Sequence, residues 1–89
     1  MRAVITVVGK DTVGIMSGVS SVCAEYNANI VEVSQSVLQE LFCMIMLVDM
    51  EKSESTFADF SAALKEMGEK KNLQIHAMHE DVFNSMHHV

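Results

Sequence analysis

The sequence predicts an α+β domain in the order β-α-β-β-α-β, with an antiparallel four-stranded sheet and both helices on one face. Three observations lead there. A β-branched run, Ala3 to Val8, stops at Gly9. Two stretches, one after Gly14 and one after Thr56, repeat apolar residues at helical spacing. Three more stretches, at 30–38, 41–50 and 73–78, have the length and patterning of strands.

Residues 3–8 read as a strand buried on nearly both faces. From Gly14 onward, Ile15, Val19, Val22, Cys23 and Tyr26 form one stripe of a helix that ends in Asn27-Ala28-Asn29. Residues 30–38 alternate loosely, with Val31, Val33 and Val37 opposed to Glu32, Ser34 and Ser36, which predicts a strand with one wet face at a sheet edge. Residues 41–50 are apolar on both faces until Asp49, as in a central strand. Between these two strands, Gln39-Glu40 makes a turn without the glycine or asparagine that hairpins favour.

Thr56 and Asp59 stand at capping-box spacing, and Phe57, Phe60, Leu64 and Met67 continue as a second amphipathic helix. Gly68 and Lys70-Lys71-Asn72 suit its C-terminus. Leu73, Ile75 and Ala77 then alternate with Gln74, His76 and Met78 as a last strand. Residues 80–89 form a C-terminal extension able to make a helical turn or two. The whole is a ferredoxin-like βαββαβ arrangement in a single domain, 1–89, with its core at about 1–79.

Composition narrows the function. The chain has 89 residues, 49% of them hydrophobic, no proline and a formal net charge of −6. Arg2 is its one arginine, so nothing can neutralise a row of phosphates, and neither nucleic acid nor a membrane surface is expected as partner. The longest apolar run, Leu41 to Val48, is far short of the ~20 residues of a membrane helix. The N-terminus makes a poor signal peptide, and a cytoplasmic location is expected. A domain this small buries only ~60–65% of its unfolded surface, which favours assembly with another copy. Cys23 and Cys43 show no CxxC pattern and read as small apolar residues.

The segment Gly9-Lys-Asp-Thr-Val-Gly14 has the glycine spacing of a phosphate loop, but Ile15-Met16 follow where lysine and a hydroxyl residue are required. The loop also lacks the arginine of an acylphosphatase-like site and the CxxC of a metallochaperone, and the central strands lack the aromatic and basic residues of an RNA-recognition module. It does place Asp11 just ahead of a helix N-terminus, and that pair matches an α-amino acid: carboxylate on the first amides, ammonium beside Asp11, close approach at Gly14. Alternatively, Asp11 or Thr12 caps the helix and Gly14 eases packing.

The strand, the stretch Gly9 to Ile15, the helix and the Asn27-Ala-Asn-Ile30 opening of the second strand resemble a small stand-alone ACT domain, over the chain to about residue 79. The loop is similar to the ACT modules of formyltetrahydrofolate deformylases and of glycine-cleavage regulators. The resemblance implies a non-enzymatic regulatory homodimer that pairs through sheet edges and binds an amino acid between the first loop of one subunit and the second strand of the other. By position it implicates Asp11, Thr12, Val13, Gly14, Ile15, Asn29 and Ile30. Val13 stands where many members have proline, so this loop is less rigid. With no further domain attached, regulation would act through an unidentified partner protein. A structural oligomerisation module with no ligand is the alternative.

No cofactor and no metal are expected. His76 and His79 fall on opposite faces of a strand, and His87 and His88 end the chain. Eight methionines are many for this length; Phe42, Met44, Met46, Val48 and Met50 form one stripe of the third strand, and Leu41, Cys43, Ile45 and Leu47 the other. The second stripe is expected against the helices. The methionine stripe is expected on the open side of the sheet, covered by the tail or by another subunit.

Overall fold

The computed structural model describes residues 1–10 and 13–86. Its elements are β1 (Arg2–Gly9), α1 (Ile15–Glu25), β2 (Asn29–Leu38), β3 (Leu41–Asp49), α2 (Phe57–Lys71), β4 (Gln74–His79) and α3 (Glu80–Met86). The strands form one antiparallel sheet in the order β2-β3-β1-β4, so β2 is an edge strand, as the sequence predicts, and β1 and β3 are central.

Local chemistry sets the boundaries. The Thr56 hydroxyl accepts from the Asp59 amide at 3.1 Å and starts α2. That helix runs through Gly68 to Lys71, and within the expected Lys70-Lys71-Asn72 end Asn72 supplies the left-handed cap at φ 57°. Gly68 is an interior residue of the helix, small because β4 lies close: a Cβ there would meet Ile75 Cγ1 and the Leu73 carbonyl at 3.0 Å. Between β2 and β3, Gln39 adopts φ 58°, a conformation usually given to glycine or asparagine, which explains why the turn carries no sequence signature.

The core lies between the sheet and α1 plus α2. Ile15, Val19 and Cys23 from α1 and Phe60 and Leu64 from α2 meet Ala3, Ile5 and Val7 of β1. The methionine stripe joins them, which reverses the assignment of the two faces of β3. Met44 and Met46 are 1% and 0% exposed, and Phe42, Val48 and Met50 are buried with them. The opposite stripe is the open one, with Leu41 exposed and Ile45 at 43%. Met44 and Met46 pair with Val7 and Ile5, whose side of β1 receives both helices, and unbranched thioethers fill the irregular space beneath.

On the open face, Val4 is only 4% exposed. The C-terminal extension forms α3, which contacts β1 and β4 at this end of the sheet, so the tail covers part of that face. Arg2 is hydrogen-bonded and ion-paired to Glu80 at the start of α3. The Arg2 hydrogen bond holds the Glu80 carboxyl below the usual carboxylate range, and the same contact holds the Arg2 guanidinium above its ordinary value. This contact is intact above the unfolded carboxylate range and is lost as pH falls through the lowered value.

Cys23 and Cys43 are both free. Burial pushes the Cys23 thiol up to about 11, whereas Cys43 is part-exposed on the open face. Iodoacetamide at neutral pH is therefore expected to alkylate Cys43 well before Cys23, as mass spectrometry of the native protein would show. Equal rates would mean that the α1 face opens freely.

Candidate functional site

Of the residues singled out in the first loop, Asp11 and Thr12 lie outside the described residues. Val13 is 83% exposed. Gly14 occupies the N-cap position of α1 at φ 77° and has no side chain to cap with. A left-handed φ makes glycine the natural occupant there. Helix α1 also has no acidic side chain in its first turn, so the positive end of its dipole meets no negative charge from its own first turn. Ile15 follows with its side chain buried in the core; only its backbone can face a ligand.

Asn29 and Ile30, the other two candidates, open β2 and are exposed. Asn29 pairs with Asp49, which pairs with Arg2, whereas Gly9 pairs with Phe42 at the other end of the sheet. Within one subunit the two halves of the expected site are thus separated by the length of β3, roughly 20 Å. Asn29 lines a small cleft of about 200 Å³ with Asp49, Glu51 and Lys52.

A larger cleft, of about 500 Å³, adjoins the end of β1. Gly9, Lys10, Leu41, Lys71, Asn72 and Gln74 line it. Sequence reading took Lys70-Lys71-Asn72 only as a helix end. The missed signal is the pair Gly14 and Gly18, one helical turn apart on α1. A Cβ on Gly14 would lie 3.3 Å from Lys71 Nζ, and one on Gly18 would lie 3.5 Å from Lys71 Cε. The two glycines clear a track along which the Lys71 side chain runs.

His79 Nδ1 accepts from the Asp81 amide at 3.0 Å, at the start of α3, and His76 is exposed on β4. His87 and His88 lie outside the described residues. Among the described residues no three His, Cys, Asp or Glu side chains gather as a metal site would require. None of the described helices is long and apolar enough to cross a membrane.

Comparison with known proteins agrees with this architecture. The family model for the ACT domain matches residues 2–78. A UPF0237 protein of Clostridium perfringens is 47% identical over 89 residues, covering all of both chains. An ACT domain protein from Streptococcus pneumoniae superposes with a TM-score of 0.82 at 37% identity, over 93% of each chain. A formyltetrahydrofolate deformylase from Pseudomonas syringae shares the fold, with a TM-score of 0.77 at 22% identity over 88% of this chain and 27% of its own. Fold and family match converge, and the chain belongs to the ACT domain family.

Proposed function

We propose that this protein is a non-enzymatic, cytoplasmic regulator that binds an amino acid at a homodimer interface and acts on a partner protein. ACT domains are regulatory small-ligand-binding modules. The separation of the two half-sites is the observation that carries the reading. Strand β2 is an edge with unpaired backbone groups on its outer side. When two such edges pair antiparallel about a twofold axis through the middle of β2, Asn29 of one copy lies opposite Leu38 of the other. Leu38 pairs with Leu41 at the end of the sheet where β1 stops and the first loop begins. The same pairing that buries the edge thus joins one subunit's loop to the other's β2. In this site the ligand carboxylate meets the α1 amides beyond Gly14, Asp11 holds the ammonium, Thr12, Val13 and Ile15 contribute backbone, and Asn29 and Ile30 close the pocket from the other copy.

Two measurements test it together. Light scattering is expected to give about twice the 9.8 kDa of one chain; a monomer mass at micromolar concentration defeats the shared site. A thermal-shift screen of the twenty amino acids is expected to find a stabilising ligand. At a free concentration of about 100 times its Kd the gain is ~2.7 kcal/mol, and Asp11→Ala abolishes it. A dimer with no amino-acid response in either protein would leave only the structural module.

A further inference from the structure

We propose that the cleft between Lys10 and Lys71 binds an anionic group, carboxylate or phosphate, carried by the small molecule that the first loop recognises. This rests on the reading above and narrows its ligand class. The protein carries six basic residues against twelve acidic ones, yet two of the six line this one cleft. No described carboxylate lines it; Glu40 lines an adjoining cleft that shares Lys10 and Leu41 with it. Lys70, the neighbour of Lys71, pairs with Glu66 at 3.3 Å. Among the described residues neither Lys10 nor Lys71 has an ion-pair partner.

The remaining lining complements that charge. Asn72 and Gln74 bring amide side chains able to donate to anionic oxygens, while Val8 and Leu41 supply apolar wall. The Gly14–Gly18 track sends the Lys71 ammonium to the first-loop end of α1, adjoining the proposed amino-acid site. With the α-carboxylate on the α1 amides, both lysines remain available to a second anionic group on the ligand. In a chain of net charge −6, such a local cationic cleft also offsets the general repulsion of an anion.

The test is a thermal-shift titration of the full chain with L-aspartate, L-glutamate, their amides asparagine and glutamine, and inorganic phosphate. Lys71→Met and Lys10→Met keep the stems and remove the charges, and Lys71→Arg keeps the charge. The ligand-free midpoints should not move, because both lysines are exposed. Acidic amino acids or phosphate are expected to stabilise the wild type, the amides much less. Lys71→Met is expected to raise Kd about tenfold or more, with Lys71→Arg near wild type. Stabilisation by neutral amino acids that depends on Asp11 and ignores both lysines overturns this inference and leaves the amino-acid reading standing. A phosphate response lost in Lys71→Met, with no amino-acid response, keeps the anion cleft and overturns that reading. Silence from every probe overturns both.

Discussion

Met46→Lys is expected to abolish the fold, leaving a chain with coil-like circular dichroism and no cooperative melting at 25 °C. Met46 is fully buried, paired with Ile5 on one side and Val33 on the other, beneath the two helices. An ammonium placed there meets no carboxylate among the described residues, none of whose polar or charged members is buried. An uncompensated buried charge costs several kcal/mol, and lost thioether packing adds to it. A domain of this length has on the order of 4–13 kcal/mol in total. Ile45→Lys, one residue earlier, is the contrast: its side chain is on the open face, so this variant should stay folded within about 1 kcal/mol of wild type. A folded Met46→Lys variant would show that the two faces of β3 had been exchanged.

Phe60→Ala is expected to cost about 3–5 kcal/mol. Phe60 is fully buried, and its ring lies 5.8 Å from that of Tyr26 at 57°, a tilted contact that ties the end of α1 to the start of α2. At about 4–8 °C per kcal/mol the melting temperature should fall by at least roughly 12 °C. Phe60→Leu, which keeps most of the apolar volume, should lose much less. A fall of only two or three degrees for the alanine variant would mean that α2 is not anchored through this ring.

The order of elements was legible because each rests on local spacing: the Ile15, Val19, Cys23 stripe, the Thr56 cap and the β-branched run of β1 each appear within a few residues. Which face of β3 turns inward was not, because both of its stripes are apolar and a period of two cannot rank them. The information was nonetheless present across strands. A two-residue turn at Gln39-Glu40 pairs Leu38 with Leu41, Ser36 with Cys43 and Ser34 with Ile45. The serines of β2 mark the wetter face, so that register alone puts Cys43 and Ile45 outside and the methionines inside. Lys71 was missed for a different reason. It lies in sequence far from the first loop, and only the folded chain lays its side chain across Gly14 and Gly18.

The sheet order has a kinetic consequence. Strand β1 and its neighbour β4 come from opposite ends of the domain, and Ala3 pairs with His79 across a sequence separation of 76. The β2–β3 hairpin can zip up locally within microseconds. Closing the β1–β4 pair joins segments far apart in sequence and incurs the entropy of a long loop. Until that closure, β1 presents Ile5 and Val7 beside an open backbone edge. Mispairing between chains is therefore concentrated at the open edge of β1 until β4 docks there.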